Sequence, residues 1–354
     1  MTHASPNAQT VAEIGEFGLI RRLVARIEPA DRDPLAPPSV GEMLVGDDAA
    51  LWTPEADRNE VLTTDTLVEG VHFRTTTTSW GDLGWKAMAQ NISDVAAMGA
   101  RPTLGFVTLG IPRHTRVADL DELYDGIGDC LHRFGARLAG GDTVSSPIVF
   151  ISVTVVGQVA GPGLRRGAAR PGDALAVTGT LGDSIAGLEI LESAVVTSDS
   201  FDTDAAALVS AHRRPTPRVA EAQCLAEHGV RAGMDLSDGL LGDVGKLAFA
   251  SGLSALIEID RLPVSSALVH TRGNQARATA LAGGEDFELL VAGPEPLLRD
   301  AGATLNAQGL AHLTLVGSLA VGQPGAIKVV DSTGRLVRVD RGSWDHFKTE
   351  PPRS

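Results

Sequence analysis

Cysteine, aromatic residues and positive charge are all scarce in this chain. Only two cysteines, Cys130 and Cys224, occur in 354 residues. They lie far apart with no metal-type spacing, which argues against a thiolate metal cluster and for a reducing compartment. Aromatic residues make up 4%, and Tyr124 is the single tyrosine. Lys and Arg total 30 against 44 Asp and Glu, a formal charge of −14. With no basic run, the chain lacks the electrostatic footprint of a nucleic-acid binder, and no nucleic-acid partner is expected. The longest apolar stretch, Ile148 to Ala160, is interrupted by Ser, Thr, Gly and Gln. The first ten residues have neither a basic nor an apolar segment, so no signal peptide, no membrane span and a cytoplasmic location are expected.

What the chain does contain is ordinary globular composition, 43% hydrophobic and 21% charged, with an excess of glycine at 40 residues. Length alone suggests about two domains at roughly 150 residues each. The Gly-, Pro- and Arg-dense segment GPGLRRGAARPGD, residues 161 to 173, reads as their junction, giving domains 1–160 and 161–354. Helical apolar spacing over residues 11 to 28 and 117 to 134, a helix from Ser79 to about Met98, and strands at 61–64, 103–109 and 148–159 alternate in the first half. Strands at 174–177, 255–259, 287–291 and 313–316 alternate with helices in the second. The pattern predicts an α/β (α+β) chain of two domains.

The acids are unevenly distributed. Many sit at expected strand or helix ends beside Gly, Ser or Thr: GDDAA with Asp47, TTDT with Asp65, NISD with Asp94, GGDT with Asp142, MDLSDG with Asp235 and Asp238, and GGEDFE with Glu285. Two bare carboxylates about 4 Å apart repel by about 4 kcal/mol at an effective dielectric of 20, so convergent acids call for cations. Hard oxygen donors without His or Cys select Mg2+ or Ca2+, and Mg2+ characteristically completes its shell with substrate phosphate. The set therefore suggests several Mg2+ ions around a polyphosphate. No G-x-x-x-x-G-K-[ST] or dinucleotide fingerprint is present. Each motif also has a plain structural reading: Asp-Gly turns, solvation for Asp94, strand positions for Thr63 and Thr64, an exposed basic pair for Arg165 and Arg166, and packing for Tyr124 and for His72 beside Phe73.

GDDAA, TTDTLVEGVHF, NISDVAAMGARP, GGDT, MDLSDGL and GGEDFELL, in this order, resemble the thiamine-monophosphate kinases, of the superfamily that includes aminoimidazole ribonucleotide synthetase. The resemblance runs from GEFGLI near residue 15 to WDHF near 344. It implies transfer of a phosphoryl group from ATP to thiamine phosphate, with several Mg2+ ions. It implies metal ligation by Asp47, Thr63, Thr64, Asp65, Asp94, Asp142, Asp235 and Asp238, with Asp142 and Asp238 closest to catalysis. Tyr124, Gly141, Asp142, Arg166 and Ser237 match ATP contacts, and His72, Glu285 and Trp344 match thiamine phosphate contacts. It further implies an N-terminal ATP- and Mg2+-binding domain whose sheet pairs across a homodimer, followed by a C-terminal α/β domain. An aminoimidazole ribonucleotide synthetase-like ligase and a non-catalytic nucleotide- or metal-binding regulator are the alternatives. The TTDTLVEGVHF and GGEDFELL pair favours the kinase, and the intact acids argue against the regulator.

Overall fold

The computed structural model describes residues 9–27, 44–45, 49–193 and 202–338. The chain is α/β and forms two compact units. One runs to Gly163 and includes Arg213–Val219; the other comprises Leu164–His212 and the described residues from Ala220 onward.

In the first unit the elements are α1 (Val11–Ile14), α2 (Glu16–Ile27), β1 (Arg58–Val68), α3 (Trp80–Ala97), β2 (Arg101–Ile111), α4 (Val117–Phe134), β3 (Arg137–Ser145) and β4 (Phe150–Ala160). The strands form one sheet in the order β1-β4-β2-β3, antiparallel except for the β2–β3 pair. Leu67, Val107, Ile151 and Val153 of the sheet, Leu83, Met88 and Ile92 of α3, and Leu120, Leu123 and Ile127 of α4 share one core. Ser79 starts α3 by accepting the Asp82 N–H at 3.2 Å, and Gly135 ends α4 in the left-handed conformation. The segment 213–219 is held on α3: Trp85 Nε1 donates to the Pro215 carbonyl at 2.8 Å and Arg214 pairs with Asp82 at 2.6 Å. Leu104, Ala139 and Val156 make a small second cluster, against which Leu44, Ala50, Trp52 and Phe106 pack.

The second unit contains β5 (Ala174–Thr178), α5 (Asp183–Glu192), α6 (Thr203–Arg213), α7 (Val219–Glu227), β6 (Ala232–Asp235), α8 (Leu240–Ala250), β7 (Ser254–Glu258), α9 (Ser266–Arg272), α10 (Ala276–Ala282), β8 (Leu289–Gly293), α11 (Glu295–Ala307), β9 (Leu313–Ala320) and β10 (Ile327–Val330). Its sheet runs β10-β7-β9-β5-β8-β6, with only β10–β7 parallel. β5 and β8 are buried at every position, as their unbroken apolar runs require. Val244, Leu247 and Ala248 of α8 pack on the sheet through Met234, Leu290 and Val316. No helix among the described residues is long and apolar enough to cross a membrane.

Candidate active site

In the first unit β1 carries TTDT within the strand, not at its end as the sequence suggests, because pairing with β4 continues through Val68. Side chains alternate across the sheet. Thr63 and Asp65 therefore share the face of Leu67, which is buried with α3, while Thr64 and Thr66 share the other face. Thr63 Oγ1 donates to Asp94 Oδ2 on α3 at 2.6 Å, joining two of the predicted ligand motifs. Thr64 Oγ1 instead donates to the Val153 carbonyl at 3.1 Å and accepts from Thr154 at 3.0 Å.

Asp142 also lies inside a strand. The register Asp65↔Val153↔Val107↔Gly141 and Thr66↔Ser152↔Thr108↔Asp142 puts the TTD and GGD motifs at one level of the sheet but on opposite edges. Three strand spacings separate them by about 14 Å. One ion therefore cannot bind Asp65 and Asp142 of the same sheet. Gly141 is demanded by pairing, since a Cβ there would stand 1.9 Å from the Val107 carbonyl oxygen. Asp142 is exposed, and its Oδ1 accepts the Thr143 N–H at 2.8 Å. Tyr124 is 6% exposed within the α3–α4 core, where burial pushes its hydroxyl pKa up; core packing accounts for it without a ligand.

His72 closes the turn after β1. Its Nδ1 accepts the Val68 N–H at 3.0 Å, so the neutral ring carries its proton on Nε2 and presents a donor suited to an anion. Its neighbour Phe73, not His72, is the residue packed in the core.

The second unit brings MDLSDG and GGEDF into direct contact. Asp235 ends β6 and is 2% exposed. The loop after it runs beside the loop before β8: the Glu285 N–H donates to the Ser237 carbonyl at 2.8 Å and the Phe287 N–H to the Leu236 carbonyl at 2.9 Å. Glycines allow this approach. A Cβ on Gly284 would lie 2.7 Å from the Ser237 carbonyl oxygen, and Gly239, at φ 103, would meet the carbonyls of Ala282 and Gly283 at 2.9 and 3.0 Å. Glu285 and Phe287 both have left-handed backbones, φ 63 and 51.

Asp243, Lys246, Ser184 and His212 went unnoticed in the sequence, whereas Asp286 lies within the GGEDFE motif already singled out. Asp243 Oδ2 accepts the N–H groups of Ser237 and Asp238, each at 3.1 Å, and Lys246 bonds to both Asp238 and Asp243. Burial pushes the Asp243 carboxyl up, opposed by Lys246; burial alone would lower the Lys246 ammonium, but bonds to Asp238 and Asp243 raise it. His212 Nδ1 lies 3.6 Å from Glu285 Oε2 and 3.1 Å from Ser184 Oγ, with His212 and Ser184 both buried. Asp286 caps α5 from outside by accepting the N–H groups of Gly182 at 2.8 Å and Ser184 at 3.3 Å. Burial pushes its carboxyl well above the ordinary range, while those N–H groups pull the other way. The signal for Asp243 and Lys246 was their i, i+3 spacing directly after LSDG. Arg166 lies exposed in a short turn, its carbonyl accepting from Ser251. Asp47 and Trp344 fall outside the described residues.

No group of three or more His, Cys, Asp or Glu side chains is assembled for a metal among the described residues. The donors that are present, carboxylates and hydroxyls in ones and twos, fit Mg2+, which takes one or two carboxylates per ion and completes its shell with phosphate.

Residues 46–159 match the family described as AIR synthase related protein, N-terminal domain, and residues 170–329 its C-terminal domain. The thiamine-monophosphate kinase of Salmonella typhimurium is 38% identical over 337 residues, covering 95% of this chain and 99% of the relative. The crystal structure of thiamine-monophosphate kinase from Stenotrophomonas maltophilia superposes with a TM-score of 0.77 at 36% identity, over 91% of this chain and 98% of that one. The complex of AaThiL with AMPPCP and TMP gives a TM-score of 0.73 at 31% identity, over 95% and 98%. With both halves matched and relatives aligned along nearly their whole length, the chain belongs to the thiamine-monophosphate kinase family.

Proposed function

We propose that this protein transfers the γ-phosphoryl group of ATP to thiamine phosphate, giving thiamine diphosphate and ADP. The observation that carries this reading is the locked pair of loops in the second unit, which fixes Ser237 and Asp238 beside Glu285 through the Glu285 N–H to Ser237 carbonyl bond. Residues matched to nucleotide and metal thereby share one rigid backbone with a residue matched to the cationic substrate.

The acceptor is already a phosphate oxygen, so no strong general base is required. It attacks the γ-phosphorus, the bond from that phosphorus to the β-phosphate bridging oxygen breaks, and the electron pair leaves with ADP. Mg2+, when bound, neutralises the two polyanions and orients the transferring group. The chain's residues do the positioning. In the first unit Thr63, Asp65 and Asp94, and on the other sheet face Thr64 and Asp142, would hold Mg2+ through hard oxygen atoms, as would Asp47; in the second unit Asp235 and Asp238 would do the same. Gly141, Ser237 and Arg166 serve the ATP phosphates, while Tyr124 is a packing residue of the α3–α4 core. His72 donates Nε2–H to the acceptor phosphate, while Glu285 and Trp344 receive the thiazolium and pyrimidine. The protein acts as a homodimer, a reading supported by the long edge strands β1 and β3.

Purified protein mixed with ATP, Mg2+ and thiamine phosphate is expected to form thiamine diphosphate and ADP in equal amounts. Tight ATP binding without product would replace the kinase by a regulator. A labelled phosphoprotein that forms and decays at the turnover rate would overturn direct transfer.

A further inference from the structure

Asp238 is already occupied by a cation of the chain itself. The Lys246 ammonium bonds to its carboxylate and also donates to Asp243 Oδ1 at 2.7 Å. The two acids differ in a way that matters. The Asp243 side chain is 0% exposed, against 32% for Asp238 and 39% for Lys246. Asp243 is also fully committed, one oxygen to the N–H groups of Ser237 and Asp238 and the other to Lys246. The ammonium is thus anchored on its buried side to a carboxylate that cannot move without dismantling the loop. On its open side it touches a carboxylate that solvent and ions reach.

We propose that Lys246 is a tethered counter-ion that competes with a divalent cation for Asp238, and so sets how much Mg2+ this part of the site requires. The inference rests on Asp238 being a metal ligand. An ammonium with three donors and a divalent cation seek the same oxygens. A divalent ion displaces the lysine from Asp238 while Asp243 retains it, so the positive charge withdraws by one hydrogen bond and stays beside the metal. In the absence of metal the same lysine neutralises two carboxylates that would otherwise repel.

The sign of one substitution separates competition from mere bracing. A lysine that only braced the loop would weaken metal binding when removed; a competitor strengthens it. The probe is Mn2+, titrated into the full-length protein without nucleotide and read from loss of the free-ion EPR signal. Asp238→Asn defines the bound class that depends on Asp238. Lys246→Met is expected to tighten that class by about tenfold, and Lys246→Arg to stay near the wild-type value. Lys246→Met is also expected to melt several degrees lower than wild type in EDTA and to recover with saturating Mn2+. Should the Met variant lack native circular dichroism, Lys246→Gln is read in the same way. Unchanged or weaker Mn2+ binding on loss of the lysine overturns the proposal while leaving Asp238 a ligand. Mn2+ binding untouched by Asp238→Asn overturns the ligand assignment and the proposal with it.

Discussion

Glu285, the proposed contact to thiamine phosphate, has an unfavourable backbone. At φ 63 it occupies the left-handed region, where an L residue costs roughly 1–2 kcal/mol relative to glycine. Hydrogen bonds of Glu285 and Phe287 to the MDLSDG loop hold it there, and the carboxylate lies near the buried His212, itself bonded to Ser184. If Glu285 holds the substrate as proposed, this retained strain trades stability for activity. Glu285→Gly is expected to raise the urea midpoint by the equivalent of up to about 1 kcal/mol and to raise KM for thiamine phosphate by on the order of tenfold, the scale of one lost ionic contact, with KM for ATP little changed. A less stable variant with normal KM would remove Glu285 from the substrate site. Its neighbour Asp286 gives a pH signature. Its native pKa is raised by burial above the ordinary value of 3.8, so the native state holds the proton more tightly than the unfolded chain. Its contribution to stability is complete below that ordinary value and is lost as pH rises through the raised native value. Asp286→Asn does not titrate, so the stability of wild type minus that of the variant should fall as pH increases from about 4. Urea midpoints measured across that range check the sign; a rising difference would show that the two N–H bonds from Gly182 and Ser184 outweigh burial.

At the scale of elements, the position of Asp94 depends on how closely α3 and α4 approach. A Cβ on Gly84 would sit 1.9 Å from the Leu123 carbonyl oxygen, and one on Gly126 would sit 1.9 Å from the Gly81 carbonyl oxygen. The two backbones touch at reciprocal glycines. Gly126→Ala must part the helices, at a cost of about 2 kcal/mol or more for overpacking a rigid contact. Because α3 also carries the acceptor of the 2.6 Å Thr63 hydrogen bond, turnover is expected to fall together with the melting temperature. Unaltered melting would mean that the crossing is looser than the backbone contacts require. The limits of sequence reading are clearest at this level. α4 spans Val117–Phe134 as its periodicity predicts, and α3 begins after Ser79 as its cap predicts, because both signals are local. The 11–28 helix is instead split into α1 and α2 at Gly15, φ 73. β1 and β3 run through TTDT and GGDT because strand extent is set by partners far along the chain. The Asp motifs were legible through their unusual glycine and hydroxyl neighbours. Ser184, His212, Asp243 and Lys246 were not, since their roles arise from contacts with loops that no local pattern announces.

For the whole molecule, the opposing placement of Asp65 and Asp142 bears on assembly. The first unit's sheet has α3 and α4 on one face. The other face presents Leu62, 67% exposed, with Thr64 and Thr66 beside it, and Val144 is 38% exposed on β3. Both edges are long strands, β1 of 11 residues and β3 of 9. Long, exposed edges that carry apolar side chains favour pairing with another copy of the chain. A closed two-fold dimer satisfies both edges at once, whereas an open stack would leave edges free and continue into a filament. The proposed homodimer therefore predicts sedimentation at twice the chain mass, without larger species. Leu62→Glu tests which surface is used. Because the side chain is exposed in the single chain, the substitution should leave the unit folded, yet it places a charge, together with Glu60, along the β1 surface that a partner must cover. The expected result is a folded monomer whose specific activity falls with dissociation and recovers as protein concentration is raised. A wild-type monomer with full activity would remove the dimer from the mechanism. A Leu62→Glu protein that stays dimeric would move the interface off this face and require the β1 and β3 edges to be protected in another way.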